Sequence, residues 1–182
     1  MAYPSALFPD LLGDDWPQLA PSLQRMHGDT GHVLARGVAD VEGSTHLVAR
    51  CLRRKLGLPE PGLQQPLEVS IERHAGREIW TRRFASGQMR TMLGRVANTA
   101  LLGERFGVLT LYFALQRQGD VIAWQLRSAS IFGIPLPRVF FGDVLAYCGV
   151  QDGRYVFHID TCLPLLGRLV AYRGWLEIVD GR

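Results

Sequence analysis

Lysine is almost missing from this chain: of 20 Lys and Arg residues, only Lys55 is a lysine. Missing too is any apolar run near the roughly 18 residues that a membrane-crossing helix needs, so no integral membrane segment is expected. There is no GxSxG, no HExxH and no phosphate-binding P-loop, and the glycines around Arg36-Gly37 and Gly43 do not form a GxGxxG between a strand and a helix. The common nucleophile, zinc-hydrolase and nucleotide-binding classes therefore lose their support. Three cysteines, Cys51, Cys148 and Cys162, stand at no zinc-like spacing, and the five histidines show no paired spacing either, so neither a metal nor a cofactor is expected. The odd cysteine set reads as small apolar residues in a reduced, cytoplasmic setting. The opening MAYPSALFPDLLGDDW has no basic segment followed by a continuous apolar one, which argues against a secretory signal.

What is present suits a single domain over 1–182: 47% apolar and 20% charged residues, enough for a real core. The net charge of +3 comes from arginines dispersed along strand-like segments, with one dense run from Arg50 to Lys55. No basic cluster is interleaved with stacking aromatics, so no nucleic-acid partner is expected.

The stretch that organises the chain is 163–179, LPLLGRLVAYRGWLEIV, whose Val, Leu, Tyr, Trp and Ile content predicts a strand. Its counterpart is His32 to Glu42, where Arg36-Gly37 is echoed by Arg173-Gly174. If these two strands pair, the chain between them closes into an antiparallel sheet without exposed edges. The expected fold is mainly β: an eight- to nine-stranded lipocalin-like barrel with N-terminal helices and one inserted amphipathic helix. Helices over Phe8 to Leu12 and Pro21 to His27, punctuated by prolines, make a cap within 1–28. The inserted helix spans 44–56, with Ser44 as N-cap. Leu47, Val48, Cys51, Leu52 and Leu56 form its packing face, Arg50, Arg53, Arg54 and Lys55 its other side, and Gly57 stops it. That charge placement fits a helix packed on a barrel mouth better than one on a membrane. Strands are expected from Leu67, over Glu78 to Ala85, Met89 to Leu93, Phe106 to Gln116, Val121 to Ile131, Val144 to Val150, Tyr155 to Cys162 and Arg168 to Val179. The segment 94–103 reads as a connection that could serve as a lid.

Candidate site residues follow from strand alternation. Trp80, Arg82 and Phe84 share one face, and the aromatics suggest an interior one; the opposite register, with Ile79 and Thr81 inside, stays open. An interior Arg82 needs a mate, either Glu104, Glu177 or the acidic group of a ligand. Glu104, before the most apolar strand, could orient a ligand or act as general acid or base, with Tyr172 as a second proton donor. Tyr112, Trp124, Tyr147, Tyr172 and Trp175 combine apolar bodies with polar tips, the usual lining of a small-molecule cavity. His158 alternates with apolar neighbours and should face water, while His27 could cover the barrel end.

The runs Leu56-Gly57-Leu58-Pro59, Trp80-Thr81-Arg82-Arg83-Phe84, Glu104-Arg105-Phe106-Gly107 and Leu163 to Leu176 resemble domain-of-unknown-function family 4166, in the same order and over nearly the whole chain. In some relatives such a domain follows a saccharopine-dehydrogenase-like NAD(P)-binding domain. These 182 residues carry no such partner, so no nicotinamide cofactor is carried over, and neither is any catalytic residue. The resemblance directs attention to Arg82, Glu104, Tyr172 and Trp175.

Three functions fit. The first is a barrel that binds a hydrophobic or amphipathic small molecule. The second is a cofactor-independent isomerase or cyclase that folds a flexible polyene or polyketide-like substrate in the same cavity, as in natural-product biosynthesis. The third is a structural interaction domain with a filled core. A homodimer is an open alternative to the monomer.

Overall fold

The pairing expected between the two ends of the chain is made. In the computed structural model, which describes residues 6–179, β1 (His32–Glu42) runs antiparallel to β11 (Gly167–Ile178), from Ala35 opposite Ile178 to Glu42 opposite Ala171. The repeated Arg-Gly pairs sit at this seam. Arg36 faces Glu177 and Arg173 faces Asp40, opposite charges on adjacent strands. The glycines bring the backbones together: a Cβ on Gly37 would lie 1.9 Å from the Trp175 carbonyl oxygen, and one on Gly174 the same distance from that of Val38. Any side chain at either position would force the seam apart.

Between the seam strands the chain meanders through β2 (Gly62–His74), β3 (Arg77–Phe84), β4 (Gly87–Arg95), β5 (Leu101–Phe106), β6 (Leu109–Gln118), β7 (Val121–Ile131), β8 (Ile134–Pro135), β9 (Asp143–Gln151) and β10 (Arg154–Leu163). Each pairs with its neighbour, β7 pairs with β9, and β8 pairs only with the end of β7, so ten strands close an antiparallel barrel. The count exceeds the expectation because the run from Phe106 to Gln116 is not one strand. Gly107, at φ +59°, turns the chain there and sets Phe106 opposite Leu109. Half of the expected connection 94–103 belongs to β4 and β5, which leaves a turn around Asn98 between them.

One barrel end is closed by α1 (Leu7–Leu12), a short 3-10 helix (Gly13–Gln18) and α2 (Pro21–His27). The first five residues of the expected cap lie outside the described residues. Phe8, Leu23 and Met26 are completely buried in that end. Fully burying side chains of this kind contributes about 1.5–3 kcal/mol each. Arg73 fastens the cap: its Nη1 and Nη2 donate to the Thr30 and Met26 carbonyls at 2.7 and 2.6 Å, while Nε donates to Glu78 Oε1 at 3.0 Å.

The inserted helix α3 (Leu47–Leu56) sits at the opposite end, rotated about its axis relative to expectation: Arg50, Arg54 and Lys55 face solvent and Leu52 and Leu56 are half-buried, as expected, but the rest of the packing face is displaced. Its buried residues are Ala49 and Arg53, while Leu47, Val48 and Cys51 face solvent. The reason is the reach of one guanidinium: Arg53 Nη1 donates to the carbonyls of Ser44 and Leu169, at 2.8 and 3.1 Å, and so draws the expected polar edge inward. Gly43 leaves the room, since a Cβ there would lie 2.9 Å from that nitrogen. His46, not Ser44, is the N-cap, with Nδ1 accepting from the Val48 N–H at 3.3 Å; Gly57 ends the helix in the left-handed conformation, as expected.

Candidate functional site

Alternation along β3 places Glu78, Trp80, Arg82 and Phe84 inside and leaves Arg77 and Arg83 exposed, which decides between the two registers. The interior is not filled. A cavity of about 130 Å³ runs from a floor of Trp80, Trp124 and Tyr155, above the helical cap, to a mouth edged by Leu56, Leu58 and Leu109. Its walls are hydrocarbon, with Arg82 and Glu104 as the charged residues among those lining it.

These two meet. Arg82 Nη2 donates to Glu104 Oε1 at 3.3 Å, Arg82 Nη1 donates to Thr91 Oγ1 at 3.1 Å, and the Thr91 hydroxyl donates to Glu104 Oε1 at 2.9 Å. All three are buried, and the guanidinium carbon lies 4.8 Å from the Trp80 ring centre. Three neighbouring strands supply the group: β3 gives Arg82, β4 gives Thr91 and β5 gives Glu104. Removing one partner of such a pair strands a buried charge, at a cost of about 3–5 kcal/mol. Glu177, the other candidate mate, instead binds Arg154 at the surface, 2.8 Å away.

Tyr172 completes this wall, with its ring 5.7 Å from that of Phe84 and 6.0 Å from that of Phe157. Burial pushes its phenol above the ordinary range, opposed by Arg82 and reinforced by Glu104, so Tyr172 keeps its proton near neutrality. Trp124 also lines the cavity, edge-on to Trp80 with ring centres 6.2 Å apart.

Two of the expected lining residues, Tyr112 and Trp175, point elsewhere, and a third, Tyr147, is shared between the two faces. Tyr112 alternates with Leu111 and Phe113, which line the cavity; its hydroxyl meets Ser130 Oγ on the outer side at 2.9 Å. Tyr147 is among the residues lining the cavity, while its ring stacks on that of His158, 5.2 Å away, and His158 belongs to the outer face as expected. Trp175 alternates with inward Leu176 and carries the Arg154 guanidinium 4.4 Å over its ring. The aromatic character of these residues is satisfied by outer-face partners that alternation alone does not reveal.

Sequence reasoning also gave too little weight to the floor. His27 is completely buried, 4.1 Å from the Phe8 ring and 5.5 Å from Trp80, with Nε2 3.1 Å from Tyr155 Oη and 3.6 Å from Cys148 Sγ. Burial, with Arg73 adding to it, lowers the His27 pKa to about 3, and burial pushes Cys148 up to about 11. Both are neutral near pH 7, so this Cys–His contact is not a thiolate–imidazolium nucleophile. The signal available in the sequence was His27's place as the last residue of the capping helix. Among the described residues all three cysteines are free, and no group of three or more His, Cys, Asp or Glu is arranged to hold a metal. No helix among them is long and apolar enough to cross a membrane.

A closed antiparallel barrel around an apolar chamber, lined by the buried Arg82–Glu104 ion pair, defines the class. The chain belongs to the family described as a domain of unknown function, DUF4166, whose profile matches residues 19–176, from the end of the 3-10 helix through nearly all of β11. No curated protein matches the chain.

Proposed function

We propose that the barrel binds a small neutral amphiphile, with its hydrocarbon part in the cavity and a hydroxyl or carbonyl group against Arg82 and Glu104. The observation that carries this reading is the pair itself. An unpaired buried arginine would favour an acid; here Glu104 already neutralises Arg82 at 3.3 Å. An incoming carboxylate would bring a second negative charge beside Glu104, which a low-dielectric wall penalises. A carbonyl can accept from Arg82, and a hydroxyl can also donate to Glu104, whose two observed bonds both fall on Oε1.

Volume limits the ligand. About 130 Å³ is close to the ~150 Å³ apolar cavity that accepts benzene, so a longer chain extends through the mouth. Each methylene buried on the way contributes about 0.8 kcal/mol. A purely structural domain would have no use for this space, and the unfilled core weighs against that alternative.

Calorimetric titration with an alcohol, a methyl ketone and a carboxylate of equal chain length tests the proposal. The alcohol or ketone should bind at least about tenfold more tightly than the acid, an advantage of about 1.4 kcal/mol. Tighter binding of the acid overturns the reading. Native mass spectrometry of protein from its own host should also show a carried neutral ligand.

A second reading, an isomerase or cyclase, draws on the protonated Tyr172 phenol beside the pair. It predicts a product of unchanged mass from a flexible polyene or polyketide-like precursor, formed more slowly when Tyr172 is replaced by Phe. An equal rate in that variant removes Tyr172 as proton donor.

A further inference from the structure

Large apolar side chains exposed on this barrel gather at the mouth. Leu47 and Val48 open α3, Phe132, Val139 and Phe140 lie in the connection from β7 to β9, and Leu165 tips the turn from β10 to β11. An antiparallel meander returns to the same end after every second strand, so these connections share one rim, around the opening of the cavity.

The turns show that folding does not ask for these residues. Ala75-Gly76, Phe132-Gly133 and Asp152-Gly153 are two-residue hairpin turns with almost the same backbone, φ being 49° and 74°, 52° and 79°, and 51° and 78°. Such a turn favours Asn or Asp in first place and strains a bulky side chain. Asp152, at the capped end, obeys the preference. Phe132, at the mouth, violates it with its ring 77% exposed, so no packing offsets the strain. Leu165 repeats the violation, at φ 66° and fully exposed.

Charge follows the same division. The helical cap carries Asp10, Asp14 and Asp15 against the single cation Arg25 among the described residues of its helices. Helix α3, whose ten residues include no acid, turns Arg50, Arg54 and Lys55 outward around Leu47 and Cys51. Arg54 reaches Glu60 at 3.6 Å; Arg50 and Lys55 make no ion pair among the described residues.

The geometry points to an anionic phospholipid bilayer as the partner of this rim: the apolar tips enter the headgroup boundary, the α3 cations meet acidic headgroups, and the cavity opens towards the acyl chains. Apolar tips backed by cations are the chemistry of interfacial membrane binding. A protein partner would want a continuous flat patch, whereas these side chains stand on separate loops around a hole. The inference stands on the rim and not on what the cavity holds.

Flotation of the full chain with vesicles of phosphatidylcholine alone, and of phosphatidylcholine with phosphatidylserine, tests it at low and high salt. The chain should float with the anionic vesicles about tenfold or more over the neutral ones, and less at high salt. The double variant Phe132→Asn with Leu165→Asn should lose that flotation while its melting temperature holds or rises, which separates lost docking from lost folding. The triple variant Arg50→Gln, Arg54→Gln and Lys55→Gln should lose the preference for anionic vesicles. No flotation with either vesicle, or unchanged flotation of the rim variant, overturns the proposal. A concentration-dependent dimer that the rim variant abolishes, without vesicle binding, assigns the rim to a second copy of the chain and overturns it equally.

Discussion

The two ends of this barrel are built on the same backbone with opposite chemistry. At the capped end Phe8, Leu23 and Met26 are out of water, the Arg73–Glu78 pair is held by cap carbonyls, and the hairpin turns use small or acidic residues. At the mouth the apolar residues are outside, and two of them, Phe132 and Leu165, occupy turn positions that disfavour them. Burial free energy accounts for the first arrangement and opposes the second. A residue that costs stability where it sits is kept for a contact beyond the fold, so the contrast assigns folding to one end and recognition to the other.

The contrast should appear first in mutational free energies. Phe8→Ala, in the closed end, removes a completely buried ring and should destabilise by about 3–5 kcal/mol in urea denaturation. Leu165→Asn, at the rim, should stay within about 0.5 kcal/mol of the parent. Comparable losses at both sites would abolish the distinction. Between the ends, Arg82→Met alone should cost about 3–5 kcal/mol by stranding Glu104, and adding Glu104→Met should restore most of it. A double variant no more stable than the single would show that the pair's charge does not set the cost.

Acid should weaken the closed end selectively. His27 has a folded pKa of about 3 against an ordinary 6.5, so the unfolded chain binds the proton more readily between those values. Its contribution is complete above pH 6.5 and is lost as pH falls towards 3. Between pH 7 and pH 5 this amounts to about 2 kcal/mol. Glu78 acts in the other direction: burial raises its pKa above 4.5, against the pull of Arg73 and Trp80, so lowering the pH towards 4.5 relieves a penalty. Comparison with His27→Gln isolates the histidine. The stability gap between parent and variant should narrow by about 2 kcal/mol from pH 7 to pH 5, and a constant gap would exclude His27 as the acid-sensitive group.

How much of this was legible in the sequence depends on the range of the interactions involved. Strand alternation and turn glycines are local, and they gave the barrel, its closure by 163–179 against His32 to Glu42, and the face shared by Trp80, Arg82 and Phe84, while leaving open whether that face looks inward. Strand β5 was hidden because it is short, begins next to a polar turn and turns inward only Leu102 and Glu104 as buried residues. Helix α3 was read with the wrong rotation, Arg53 outside and Leu47, Val48 and Cys51 inside, because periodicity identifies a face without saying which surface it meets. Its orientation rests on Arg53 reaching the Leu169 carbonyl, 116 residues away in the chain. Tyr112 and Trp175 were placed on the wrong side for a similar reason, since each is held by an outer partner that no local pattern announces. Glu104 could be named as a mate for Arg82, but Thr91 between them comes from the intervening strand β4 and had no signal of its own.

A small effect is the sharpest test of the contrast, because it has the opposite sign. Phe132→Asn puts into a two-residue turn with both φ positive the kind of residue that such a turn prefers, and it removes a ring that is mostly in water. Relief of left-handed strain should stabilise the protein by about 0.5–1 kcal/mol, a shift in the urea midpoint without a change in slope. Asp152→Phe makes the reverse exchange at the capped end, on nearly the same backbone, and should lose a similar amount. If Phe132→Asn destabilises instead, the Phe132 ring has a packing role within the fold, and the mouth is no longer the end that folding leaves free.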